Sequence, residues 1–282
     1  MKILYNLEEL EIAKNEYKEK SIAFVPTMGA LHAGHLSLID KANSVAENVI
    51  VSIFVNPLQF GPHEDFTKYP RDIDKDLALL KNKKVDYLFY PSFTKDELLK
   101  IKQISAEPKL ADILCGKFRK GHFDGVVTIV NYFFELIEPD YAVFGEKDYQ
   151  QLKIIEAMVN NLSLNVKILA APILREASGL AMSSRNIYLN QSSRLKADEI
   201  YKNLSSMSEE IRNQVFKNKA SKTLPHNESQ DKLSKEIQDI IDFHKKKLIN
   251  SGFELDYLEY HWSRVLIAAR IDGVRLIDNI GV

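Results

Sequence analysis

Two histidines three residues apart, His32 and His35, stand in "AFVPTMGALHAGHLSLI" with Gly34 between them. An apolar run ending at Pro26 gives way there to a helical pattern. A helix start at such a place points backbone N–H groups outward, and these, with the helix dipole, favour an anion. Histidines can donate hydrogen bonds to phosphate oxygens and can gain charge as the phosphate does. Gly29 lets the chain turn sharply after the run, and Gly34 lets the helix or a ligand come close. Three readings stand open. The histidines can be polar caps. They can be zinc ligands, although no third ligand cluster lies near. Or they can bind phosphate, which accounts for both glycines, both histidines and the strand-to-helix position together.

Four further stretches carry groups of the same kind. "FVNPLQFGPHEDFTKYPRD" (54–72) offers Asn56 and Gln59, neutral amides that suit a small polar substrate with hydroxyl and carboxylate groups. For Asn56 an Asn-Pro turn is an equal reading. "GKFRKGHFDG" (116–125) gathers Lys117, Arg119, Lys120 and His122 before a helix expected to open at Asp124. It is either a solvated basic run or a helix-entry loop for a phosphate. "FGEKDYQQL" (144–152) offers Gly145 for close approach, Lys147 for a phosphate, Asp148 for a ribose hydroxyl and Gln151 facing back one turn later. Its plainer reading is helix capping. "PILREASGLAMSSRN" (172–186) ends in Met182, Ser183, Ser184 and Arg185. A cation there can offset charge on a bound anion, and the stretch also reads as a linker.

The elements that must position these groups alternate. Strands are expected at 21–26, 48–56, 85–91, 140–148 and 165–172, and helices at 7–20, 34–46, 71–82, 124–139 and 149–161. The run "NVIVSIFVN" has the β-branched character of a strand covered on both faces. Such alternation predicts an α/β fold, a Rossmann-like, doubly wound parallel sheet whose ligands gather beyond the carboxyl ends of the strands. After about residue 175 the pattern changes to long polar helices (192–216 and 229–251) and two strands (253–262 and 274–280). The expected division is a catalytic domain over 1–175 and a smaller α+β domain over 176–282 that closes over the active site. The polar stretch 217–229 reads as an exposed loop.

Composition bounds the function class. The 282 residues carry 38 basic and 39 acidic side chains, and nothing global favours nucleic acid or a membrane surface. The single cysteine, Cys115, excludes an internal disulfide and fits a reducing compartment. The charged N-terminal stretch predicts no signal peptide, and no apolar run approaches the length of a membrane span. A cytoplasmic protein is the expectation.

The His-x-Gly-His arrangement resembles the signature of the nucleotidyltransferase superfamily, which binds triphosphates and attacks at the α-phosphate. "PTMGALHAGHLSLI", "FVNPLQFGPHEDFTKYPRD", "GKFRKGHFDGVVTIV", "FGEKDYQQL" and "LREASGLAMSSRN" together resemble the pantothenate synthetase family, in its order and at compatible spacing. The ending "RLIDNI" resembles it too. The resemblance spans nearly the whole chain and is weakest over 205–250, where no family pattern is recognisable. It implies a ligase: pantoate and ATP give pantoyl adenylate and pyrophosphate, and the amine of β-alanine then displaces AMP.

The same resemblance implies roles. His35, His32, Lys147 and Arg185 would be catalytic. ATP would be bound by Met28, Gly29, Ala30, Leu31, His32, Ala33, Gly34 and His35, by Gly145, Glu146, Lys147 and Asp148, by Leu174 through its backbone, and by Met182, Ser183, Ser184 and Arg185. Gln59 would hold pantoate beside β-alanine, Gln151 would hold pantoate, and Asn56, Arg119 and His122 would lie around the substrates. Magnesium (Mg2+) is implied on the triphosphate, with Asp76 a candidate to help place it. A homodimer is implied, with pantoate, β-alanine and ATP as the small-molecule partners. Some members carry Glu at the position of Ala33 and Asp at that of Ser178, both on solvent-side or turn positions. A nucleotidyltransferase acting on a phosphorylated metabolite is the alternative, but the neutral pair Gln59 and Gln151 would serve a phosphate poorly. A nucleotide sensor is a third, and it would not need His35, Lys147 and Arg185 together.

Overall fold

The apolar runs form one parallel sheet. Its strands are Lys2–Leu4 (β1), Ile22–Thr27 (β2), Asn48–Ile53 (β3), Tyr87–Phe89 (β4), Tyr141–Gly145 (β5) and Lys167–Ala171 (β6), in the order β1-β4-β3-β2-β5-β6. The computed structural model describes residues 1–62, 64–220 and 226–282, with side chains at all of these except 218–220 and 226–232. The chain divides into two units, Met1–Leu174 and Arg175–Val282.

In the first unit β3 is buried along its whole length, as its β-branched sequence requires. The connecting helices are Leu7–Tyr17 (α1), Ala33–Asn43 (α2), Ile73–Leu80 (α3), Lys95–Lys100 (α4), Pro108–Ala111 (α5), Leu114–Phe118 (α6), His122–Ile137 (α7) and Tyr149–Asn161 (α8). The chain runs from β2 outward through β3 to β4, then returns through α7 to β5 on the other side of β2. The strand order therefore reverses between β2 and β5. Such a switch point opens a crevice beyond the strands' carboxyl ends, where the two flanking loops part.

Several boundaries differ from the sequence expectation, each for a physical reason. The segment 2–4 is a strand, because its alternation finds a partner at the sheet edge in β4. The strand expected over 48–56 stops at Ile53, where the chain leaves the ladder and Asn56 caps a short turn, Pro57–Gln59. The helix expected to open at Asp124 opens at His122, with Gly121 in the left-handed region (φ 76°) turning the chain into it. The basic stretch is thus not one loop: Lys117 lies in α6, and His122 starts α7.

The second unit pairs two helices, Gln191–Ala220 (α9) and His226–Asn250 (α10), with an antiparallel sheet of Glu254–His261 (β7), Arg264–Ile271 (β8) and Val274–Gly281 (β9). Leu204, Met207 and Ile211 of α9, Ile241 and Leu248 of α10 and Ile267 of β8 share one core. The central strand β8 is an addition to the two strands expected. Its turns carry the signal: Asp272-Gly273 adopts left-handed φ of 46° and 76°, the conformation of a two-residue hairpin. The stretch 217–229, expected as a loop, is helical on both sides as far as Ala220 and from His226; 221–225 lie outside the described residues. Among the described residues no helix is long and apolar enough to cross a membrane.

Candidate active site

The histidine pair is first of all a helix cap. His32 is the N-cap of α2, its Nδ1 accepting the Gly34 N–H at 3.1 Å, and His35 Nδ1 accepts the His32 N–H at 3.3 Å. Imidazoles here take the reciprocal places that Ser/Thr and Glu/Gln fill in the usual capping box. An Nδ1 that accepts cannot carry the proton, so each neutral ring keeps its proton on Nε2. The rings are tilted by 37° with centroids 4.1 Å apart. Burial, His32 and then the Lys147 ammonium hold the pKa of His35 well below its ordinary value. His35 is therefore a neutral hydrogen-bond donor at pH 7. The capping and phosphate readings do not compete, because capping fixes the tautomer that a phosphate oxygen would meet.

The electrostatic influence of Lys147 on His35 joins the loop after β5 to the start of α2, across the switch point. Gly145 lies against Leu38 of α2, where an added Cβ would stand 3.8 Å from its Cδ2. Lys147 sits in the short turn Glu146–Asp148, 3.8 Å from the Asp148 carboxylate. Asp148 also acts on His122 through space, which brings α7 to the same place.

The loop between β2 and α2 passes through the left-handed region at Gly29 (φ 77°) and Ala30 (φ 50°). Thr27 Oγ1 accepts the Gly29 N–H at 3.2 Å and donates to the Ser52 carbonyl at 2.7 Å. Asp76, buried on α3, accepts the N–H groups of Ala30 at 2.9 Å and Leu31 at 2.7 Å. The structure thus gives Asp76 the loop backbone as its partner. Burial raises its pKa while those two N–H groups oppose the shift.

The amide pocket is built onto this loop. Gln59 Nε2 lies 3.0 Å from the Met28 sulfur, and Asn56 Nδ2 lies 3.1 Å from Gln59 Oε1. Asn56 is buried and also donates to the Gly125 carbonyl at 3.0 Å, besides capping the turn through Leu58 N–H. Gly125 has no room for a side chain, since a Cβ would fall 2.1 Å from the Leu58 carbonyl oxygen.

Arg119 and His122 support this pocket from behind. Arg119 grips Glu64 with two nitrogens, at 2.7 and 2.5 Å, and reaches His122 Nε2 at 2.8 Å. A guanidinium can only donate, so Nε2 accepts and the His122 proton sits on Nδ1, 2.8 Å from the Gln59 carbonyl. Burial, chiefly, and the Arg119 charge push the His122 pKa down to about 4. His122 is a neutral link that holds the backbone of Gln59. No local pattern in the sequence points to Glu64, because its partner lies 55 residues away.

The adjacent glutamines of α8 part company. Gln150 is buried and closes the preceding loops, accepting from Cys115 N–H at 2.9 Å and donating to the Leu110 and Ile113 carbonyls, both at 2.7 Å. Gln151 is half-buried on the neighbouring face. Leu174, the last residue of the first unit, is exposed.

In the second unit Met182–Arg185 is held by its own frame. Ser183 caps the turn Ser184–Tyr188 and accepts the Arg185 N–H at 3.3 Å. Buried Asn186 donates to the Ala181 carbonyl and to Glu176. Arg175 pairs in bidentate fashion with Asp278 of "RLIDNI" at 2.6 and 2.9 Å and donates to the Gly179 carbonyl at 3.1 Å. The terminal motif therefore fixes the "LREASG" loop.

The family described as pantoate-beta-alanine ligase matches residues 2–281. A pantothenate synthetase of Caldicellulosiruptor bescii is 42% identical over 285 residues, covering 100% of this chain and 99% of that one. The crystal structure of pantothenate synthetase from Thermus thermophilus shares 35% identity at a TM-score of 0.83, with 99% of each chain covered. Pantoate-beta-alanine ligase from Francisella tularensis, solved in complex with beta-gamma ATP and β-alanine, shares 34% identity at a TM-score of 0.80, covering 99% of this chain and 97% of that one. Matched along its length in both sequence and fold, the chain belongs to the pantoate-beta-alanine ligase family.

Proposed function

We infer that the chain joins pantoate to β-alanine at the expense of ATP, through a pantoyl adenylate, giving pantothenate, AMP and pyrophosphate. The observation that carries the reading is the neutral, Nε2-protonated His35 at the start of α2, with Lys147 near enough to depress its pKa. Neutral donors and one cation at a helix N-terminus suit a phosphate that is attacked by a second anion, since they offset charge without trapping the product.

In the first step the pantoate carboxylate attacks the α-phosphorus in line, and the bond to the bridging oxygen of pyrophosphate breaks. His32 and His35 donate to the phosphate oxygens and Lys147 offsets the developing charge. We assign Met28–His35 and Gly145–Asp148 to the nucleotide, together with Leu174 and Met182–Arg185, in which Arg185 supplies the cation for the leaving phosphates. Gln59 and Gln151 hold pantoate, and Gln59 borders β-alanine. In the second step the β-alanine amine attacks the acyl carbon and AMP leaves, so the carboxylate's poor leaving group has been exchanged for a good one. The amide pocket orients both substrates, which lowers the entropic part of the barrier. Asn56, Arg119 and His122 support that pocket. Magnesium, as the counter-ion of the triphosphate, would offset part of its charge.

We also infer a reducing, cytoplasmic setting from the single buried thiol of Cys115, and a homodimer from the family resemblance. Product analysis tests the reading. AMP and pantothenate should appear together, in equal amounts, only when pantoate, β-alanine and ATP are all present. AMP formed in the absence of pantoate would contradict it.

A further inference from the structure

We propose that Asp76 is the clamp that sets the nucleotide loop, a positioning residue rather than a ligand for the metal. Its two carboxylate oxygens take separate backbone groups, Oδ2 the Ala30 N–H at 2.9 Å and Oδ1 the Leu31 N–H at 2.7 Å. Those two residues follow Gly29 and immediately precede His32, the cap of α2. Ala30 is held in the left-handed region, which a residue with a side chain occupies only when its surroundings compel it. Two charge-assisted hydrogen bonds from one rigid helical side chain supply that compulsion. The fit extends to Gly29, where an added Cβ would stand 2.9 Å from Asp76 Oδ2, so the clamp and the glycine are matched. By fixing the chain just before His32, Asp76 fixes the direction in which both imidazoles present Nε2.

The same geometry is unsuited to magnesium. The ion keeps a near-octahedral shell and gives up its waters reluctantly, so it needs a carboxylate that a hydrated ion can reach. Asp76 is only 3% exposed. Two N–H dipoles already point at its oxygens, and they offset the charge that would draw a cation. The clamp also places α3 in the reaction's machinery: the helix holds its own start through Asp72, which caps Lys75 N–H, and holds the loop through Asp76.

The inference rests on the reading that this loop binds ATP, and its test separates the two. Amide exchange is followed first on the unaltered protein, without nucleotide or magnesium. The Ala30 and Leu31 amides should be protected, as the amides of an exposed loop are not; exchange at exposed-loop rates would overturn the clamp whatever the enzyme's activity. Asp76→Asn then removes one acceptor and sets an N–H₂ against a backbone N–H. Exchange at both amides should quicken by about tenfold or more, and KM for ATP should rise about tenfold, with the magnesium concentration for half-maximal rate unchanged at saturating ATP. A raised magnesium requirement with unchanged amide protection and ATP affinity would show a metal ligand and overturn the proposal. If the variant does not fold, the exchange rates of the unaltered protein still decide. An unaltered protein with protected amides but no ligase activity would contradict the functional reading and leave the clamp standing.

Discussion

His35 Nδ1 accepts the backbone N–H of His32, so the side chain we assign to the reacting phosphate also closes the first turn of its own helix. These two jobs can be separated. Glutamine at the third helical position can return a side-chain oxygen to the cap residue's N–H, as in the ordinary capping box, but its amide N–H₂ sits on a flexible chain and is not held where the ring fixes Nε2. His35→Gln should therefore keep stability within about 1 kcal/mol of the parent while turnover falls by about a hundredfold, near 3 kcal/mol of transition-state stabilisation. His35→Ala should lose both. Thermal unfolding beside steady-state kinetics checks the pair, and near-normal turnover in His35→Ala would refute the donor role.

His122 gives the protein an acid-sensitive link. Its pKa is about 4 when folded, against an ordinary value of 6.5, because burial and Arg119 penalise the imidazolium. Between those values the unfolded chain binds the proton and the folded one does not, so stability falls as pH falls through that window. The contribution is intact above pH 6.5 and amounts to about 3 kcal/mol lost by pH 4. Urea unfolding at pH 7 and pH 5 should show His122→Asn with the smaller difference between the two, by about one proton's worth, although it is less stable at pH 7. An unchanged difference would mean that His122 does not titrate as a buried neutral group.

Gly125 sets how closely α7 can approach the amide pocket. With the Leu58 carbonyl 2.1 Å from a built Cβ, Gly125→Ala must push the Pro57–Gln59 turn away or bend the helix. The expected cost is on the order of 3 kcal/mol in stability. Gln59 should move with its turn, so KM for pantoate should rise more than KM for ATP. Equal rises in both, or no loss of stability, would contradict this arrangement.

The neighbouring glutamines should respond in opposite ways. Gln150→Ala leaves the half-buried Leu110 and Ile113 carbonyls and the buried Cys115 N–H without their partner, and should cost about 2 kcal/mol in stability. Gln151→Ala should leave stability almost unchanged and raise KM for pantoate. Calorimetric unfolding together with substrate titrations separates the two, and the reverse pattern would exchange their roles.

The parts of this fold that a single sequence displays are those specified locally. The helix over 149–161 and the strand-to-helix change around His32 are found where expected, and "NVIVSIFVN" forms a strand over Asn48–Ile53, its last three residues leaving the ladder. What escapes is specified by distance. Strand β1 is only three residues long and exists through its pairing with β4, and β8 is recognisable only through the turns that flank it. Glu64 and Arg119, Gln59 and His122, Asp76 and Leu31 are pairs far apart in the chain, and no periodicity announces them. For the same reason the sequence singles out Gln151, while the buried role of its neighbour Gln150, whose partners lie 35 to 40 residues back, carries no local signal.

The central claim is that pantoate is activated as an acyl adenylate before the amine arrives. Pantoate-dependent exchange of labelled pyrophosphate into ATP, measured with β-alanine omitted, tests it most directly. Rapid exchange is predicted, strictly dependent on pantoate and lowered about a hundredfold by His35→Gln. Exchange that appears only when β-alanine is added, or that proceeds without pantoate, would contradict the account.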